Sequence, residues 1–125
     1  MATMERATAV LEGGWVLEGT DGDGQPVHLT VGDTALGRAY LGIVVGRHPA
    51  LSERVIDDPG VSRRHVRLGV AGGELFVEDL NSLNGTFVDG VPLTPFDAAR
   101  VERGQVLELG QVALRVSRLA DDGGR

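Results

Sequence analysis

With 125 residues, a net charge of −6 and no cysteine, the chain has the size of one domain. Disulfide frameworks, thiolate metal sites and thiol nucleophiles are excluded outright. Its 12 basic residues are all arginine and are outnumbered by 18 acids, which argues against general nucleic-acid or membrane-surface binding. Apolar residues at 42% and charged residues at 24% suit a soluble globular domain, and no apolar run approaches the ~20 residues that a membrane helix needs.

In chain order, residues 1–12 read as a flexible tail without a signal-peptide-length apolar segment, which predicts a cytoplasmic protein. The absence of lysine hints at a bacterial, GC-rich source. Short apolar bursts then follow: Gly14–Glu18, Pro26–Val31, Gly42–Val45, Val66–Val70, Glu74–Glu78, Gly85–Val88, Gln105–Leu109 and Val112–Val116. Several alternate, as in Val27, Leu29, Val31 and in Val112, Leu114, Val116, which is the mark of half-buried strands. The pairs Asp21-Gly22, Asp23-Gly24, Gly72-Gly73, Asn84-Gly85 and Asp89-Gly90 supply residues that tolerate positive φ in tight turns. No stretch keeps a 3.6-residue period; Thr94 to Arg103 has room for one helical turn at most. Trp15 and Phe76 are expected in the core, with the sandwich edge the alternative for Trp15. The pattern predicts an all-β antiparallel sandwich or barrel over residues 13–118, with a second tail over 119–125.

Three loop segments carry the chemistry: Gly46-Arg47-His48-Pro49, then Asp57 to His65, then Asn81 to Thr86. Loops of a sandwich gather at its two ends, where a rigid scaffold can hold them. Guanidinium groups offer forked, charge-assisted hydrogen bonds to a phosphate. A serine hydroxyl adds a short neutral donor. A side-chain amide donates and accepts at once, which suits an extended peptide backbone. The set therefore fits an anionic tetrahedral group.

Gly46-Arg47, Ser62-Arg63-Arg64-His65 fifteen residues later and Asn84-Gly85-Thr86, in this order and spacing, resemble the forkhead-associated (FHA) family. The resemblance runs on through Leu93 and Gly104–Gly110 to about Val116. It implies an eleven-stranded β-sandwich that binds phosphothreonine peptides without catalysis, metal or cofactor. It implies that Arg47, Ser62 and Arg63 bind the phosphate and that Asn84 holds the peptide backbone. Ser82 and Leu83 would make secondary contacts, with a turn role inside its own loop the equal alternative for Ser82, and Gly46, His65, Gly85 and Thr86 would support the loops. The partner would be a phosphothreonine-containing protein, modified by a Ser/Thr kinase or itself such a kinase. Leu83 stands where the family often has a hydroxyl residue, and Gln105 where Asp is commoner. A second Gly37-Arg38 lies 24 residues before Ser62, so Arg47 fits the spacing better.

Competing readings are weaker. Arg64 and Arg67 read as a solvated strand face, with Arg64 pointing away from Arg63 by the alternation of extended chain. A Ser-His-Asp triad through Ser62 or Ser82 lacks a nucleophile elbow, and His28, His48 and His65 share no ligand spacing. Asp21 to Gly24 opens like a calcium loop, but the twelfth position is Gly32 rather than Glu. Two other readings of function stay open: a phosphorylation-independent interaction domain, and self-recognition of a phosphorylated Thr3 or Thr8.

Overall fold

The computed structural model describes residues 13–37 and 42–119. Arg38 of the second Gly-Arg pair, Thr3 and Thr8 lie outside the described residues, as do 1–12 and 120–125 of the expected tails. The described residues fold as the expected β-sandwich. The strands in chain order are β1 (Gly14–Thr20), β2 (Pro26–Gly32), β3 (Ile43–Gly46), β4 (Arg54–Val55), β5 (Val66–Ala71) and β6 (Glu74–Asp79), followed by β7 (Thr86–Val88), β8 (Val91–Pro92), β9 (Ala99–Val101), β10 (Val106–Leu109) and β11 (Val112–Leu119). One sheet runs β2-β1-β11-β10-β7-β8 and the other β4-β3-β5-β6-β9. Pairing is antiparallel except between β3 and β4, where Val45 and Gly46 pair in parallel with Arg54 and Val55.

Alternation decides what each strand buries. Leu75 and Val77 of β6 are fully buried, as are Val66 and Leu68 of β5, Leu107 and Leu109 of β10, and Val112, Leu114 and Val116 of β11. These side chains meet between the sheets in one cluster that includes Trp15, Leu17 and Val31. Phe76 is the exception to the expected core. It sits one residue out of phase with Leu75 and Val77, opposite Gly69 and Arg100, and is only half-buried on the outer face. Its neighbour on that face is the cross-strand pair Arg67–Glu78, 3.3 Å apart.

Turn chemistry sets the register. Gly72 (φ 60°) and Gly73 (φ 78°) join β5 to β6, and Asp89 (φ 49°) and Gly90 (φ 81°) join β7 to β8, the double positive φ of a two-residue hairpin loop. The Asp21 carboxylate accepts the Asp23 and Gln25 N–H groups of its own turn, so this acid works as a hairpin residue.

Two local readings need correction. Residues 94–103 hold no helical turn: Phe96 takes φ 64°, its N–H donates to the Asp79 carbonyl, and β9 follows. The helical turn lies instead at α1 (Asp33–Leu36), where Leu36 is buried in the core cluster. Four residues are too few to show a period. Leu119, expected in a tail, is the last residue of β11 and pairs with Gly14, the first of β1.

Candidate phosphate and peptide site

The ends of β3 and β6 and the start of β5 lie together, because Val45 pairs with Val66 and Val66 with Asp79. The loops β3–β4, β4–β5 and β6–β7 therefore emerge at one pole. Between them lies an open cleft of about 630 Å³, lined by residues that include Arg47, Ser62, Arg63, Asn84 and Leu83. These five, picked from three separate segments, are thus brought together.

Arg47 is anchored before any ligand arrives. Its N–H donates to the Ser62 carbonyl at 2.9 Å, and its Nε donates to the Val61 carbonyl at 2.9 Å. The two terminal amino groups of the fork remain for the cleft. The Ser62 Oγ accepts the Leu83 N–H at 3.0 Å, which leaves the hydroxyl proton to donate elsewhere. The same bond ties the second loop to the third. The Asn84 Nδ2 donates to the Gly60 carbonyl at 2.9 Å, so one N–H and the amide oxygen stay available. Arg63 is exposed at the rim; its carbonyl accepts the Ser52 Oγ at 2.8 Å and the His48 N–H at 3.3 Å.

Gly46 is buried where β3 passes the Arg63 backbone. A Cβ there would collide with the Arg63 carbonyl oxygen and stand 2.7 Å from the Ser52 Oγ, so only glycine admits the crossing.

His65 is fully buried beneath the loops. Its Nδ1 accepts the Ser62 N–H at 3.0 Å and its Nε2 bonds the Gly85 carbonyl at 3.0 Å. That pair of partners requires the neutral ring with its proton on Nε2. Burial pushes the imidazole below its usual pKa, against the opposing pull of the Gly85 carbonyl and of Asp79.

Ser82 does not line the cleft. Its Oγ donates to Asp79 Oδ1 at 2.5 Å and accepts the Gly85 N–H at 3.1 Å, a role inside its own loop. Thr86 is buried and donates its hydroxyl to the same Asp79 oxygen at 2.5 Å. Leu83, 89% exposed, has its side chain at the rim.

Three contributors escaped the sequence reading. Asp79 is 2% exposed and receives Ser82 N–H, Ser82 Oγ–H and Thr86 Oγ–H. Burial alone would raise its pKa, but these hydrogen bonds and the nearby His65 hold the carboxyl below its ordinary value. The signal was an acid ending a strand three residues before a serine. Asp58 is 4% exposed and accepts the Gly22 N–H and the Gly60 N–H, each at 2.8 Å, pinning the β1–β2 turn beside the cleft. Arg64 lines the same cleft as Arg63. The alternation expected of extended chain does not apply, because 61–65 is loop and β5 starts at Val66.

Gly85, at φ 88°, lets the chain reverse between Asn84 and β7. Gly85→Ala is expected to cost about 1–2 kcal/mol of stability. A shifted denaturant midpoint at unchanged m-value is the readout.

The family model for the FHA domain matches residues 43–110, more than half of the chain. The glycogen accumulation regulator GarA of Mycolicibacterium smegmatis is 42% identical over 69 residues, covering 55% of this chain and 41% of the relative. FhaB of Mycobacterium tuberculosis, an FHA domain-containing protein, is 38% identical over 74 residues, covering 59% of this chain and 46% of the relative. The chain therefore spans less than half the length of these curated relatives. A solved FHA domain from a study of phosphothreonine-dependent FHA domain interactions superposes with a TM-score of 0.60 at 29% identity, covering 82% of this chain and 94% of that one. No helix among the described residues is long and apolar enough to cross a membrane. On the matched segment, the two-sheet fold and the loop-end cleft together, the chain belongs to the forkhead-associated family, a family of phosphothreonine-binding interaction modules rather than catalysts.

Proposed function

We propose that this chain recognises phosphothreonine in an extended segment of a partner protein, cytoplasmic and acted on by a Ser/Thr kinase. The observation that carries the reading is the state of the free donors. The Val61 carbonyl occupies Arg47 Nε, and the Leu83 N–H occupies the Ser62 oxygen, so the guanidinium fork and the hydroxyl proton are held ready for an anion. Ready donors need no reorganisation when the ligand arrives, which lowers the ordering cost of binding. In this reading Arg47, Ser62 and Arg63 take the phosphate oxygens. Asn84 uses its remaining N–H and its oxygen on the peptide backbone beside the phosphothreonine. Gly46, His65, Gly85 and Thr86 hold the loops, and Leu83 offers an apolar rim contact.

A phosphate brings a charge of about −1.5 to −2 at neutral pH, which an unmodified threonine lacks. The extra methyl of threonine over serine is worth roughly 1–3 kcal/mol in an apolar recess. The test is a titration of three matched peptides carrying threonine, phosphoserine and phosphothreonine. The phosphothreonine peptide is expected to bind at least about fivefold tighter than the phosphoserine peptide, and the unmodified one not measurably. Equal binding of all three would favour a phosphorylation-independent surface and refute the pocket.

A further inference from the structure

We infer that Arg64 reads a second anionic group on the bound peptide, close to the phosphothreonine; this rests on the reading just given. Among the described residues the arginines away from the cleft are largely engaged. Arg67 pairs with Glu78, Arg100 with Glu74 and Glu102, and Arg118 with Asp33, while Arg54 and Arg115 donate to backbone carbonyls. Arg47, Arg63 and Arg64 all line one cleft and none meets a carboxylate; Arg47 commits only its Nε, to the Val61 carbonyl. The two buried acids on this side are committed elsewhere, Asp58 to the N–H groups of Gly22 and Gly60 and Asp79 to Ser82 and Thr86. In a chain of net charge −6, three guanidinium groups without a carboxylate partner gather along one cleft.

The charges do not balance with one ligand group. Three guanidinium groups carry +3, against about −1.5 to −2 for one phosphate. Of these three side chains alone, about 1 to 1.5 positive charges are left unneutralised by the phosphate. Arg63 and Arg64 are sequence neighbours in a loop, and both reach the cleft, so their forks can address two adjacent anions rather than one. The second anion is a carboxylate of Asp or Glu, or a second phosphate, on a residue flanking the phosphothreonine. Both sources offer a pair of anionic oxygens that a guanidinium fork can grip.

The experiment uses the full chain and Arg64→Gln with a peptide panel. Each peptide carries one phosphothreonine and, at one of the three positions on either side, alanine, glutamate or a second phosphothreonine. Wild type is expected to bind the peptide with an anion at the preferred position three- to tenfold tighter than the all-alanine one, about the strength of an exposed charge-assisted pair. Arg64→Gln should erase that gain while binding the all-alanine phosphothreonine peptide within about twofold of wild type. Comparing glutamate with the second phosphothreonine identifies the source of the anion. If no position rewards an anion, or if the gain survives in Arg64→Gln, the inference falls while phosphothreonine recognition stands. If the all-alanine phosphothreonine peptide binds no better than its unphosphorylated twin, both fall.

Discussion

Arg47→Ala is expected to weaken binding of a phosphothreonine peptide by at least about thirtyfold, with the fold intact. Truncating one side of a charge-assisted pair costs about 2–5 kcal/mol, and each 1.4 kcal/mol is tenfold. Stability should change little, because Arg47 is exposed and gives up one side-chain hydrogen bond, to Val61, worth about 1 kcal/mol. Arg47→Lys sharpens the point. It keeps the charge but loses both the fork and the Nε anchor, so it should recover only part of the affinity. Ser62→Ala removes one donor and should cost about tenfold or more, since a hydrogen bond to a charged group contributes about 1.5–3 kcal/mol. Isothermal titration gives the affinities, and thermal melts of the same samples report the fold. Wild-type affinity in Arg47→Ala would place the phosphate somewhere else.

The largest loss of stability is expected from His65→Leu, about 2–4 kcal/mol. The substitution roughly preserves volume but leaves the Ser62 N–H without its acceptor and removes one donor from the Gly85 carbonyl. A buried donor left unmade costs about 1–3 kcal/mol, and the second bond adds about 1. Because the same ring holds the second and third loops in place, peptide affinity should fall as well. The pH profile separates this effect from mere cavity formation. In the folded chain His65 resists protonation, since burial lowers its pKa; in the unfolded chain it protonates near 6.5. Below that pH the unfolded state binds the extra proton, so its stabilising contribution, complete above about 6.5, is lost as pH falls toward the lower folded value. The difference in stability between wild type and His65→Leu should therefore shrink as pH drops through this window. Asp79 follows the opposite class of group with the same direction at lower pH. Its depressed carboxyl contributes stability above the ordinary carboxylate range, and that contribution disappears as pH falls through the folded value. Denaturant titrations at several pH values check both.

How far the fold could be read in advance depended on length and period. The eight bursts that alternate or run apolar over several residues correspond to β1, β2, β3, β5, β6, β7, β10 and β11. The remaining strands, β4, β8 and β9, have two or three residues and carry no period of their own; β8 is exposed throughout. They exist because neighbouring strands offer free backbone groups, a tertiary cause invisible to local pattern. Helix α1 was hidden for the same reason. Phe76 was misplaced because hydrophobicity alone was weighed, whereas its phase against Leu75 and Val77 turns it outward. At the site, the three motif segments were legible because their spacing is constrained by the scaffold. Asp79 and Asp58 were not, since an acid reads as solvated until it is seen buried under the N–H groups it satisfies. Arg64 was assigned to a strand face by a periodicity that begins only at Val66.

Gly14 and Leu119, register partners at the start of β1 and the end of β11, stand at the far pole from the cleft, since β1 reaches the cleft side only at Thr20 opposite Ala113. Both attachment points of the described sandwich are therefore side by side and turned away from the bound segment. A tether, a neighbouring module or a fluorescent reporter joined at either point would start from the pole opposite the cleft.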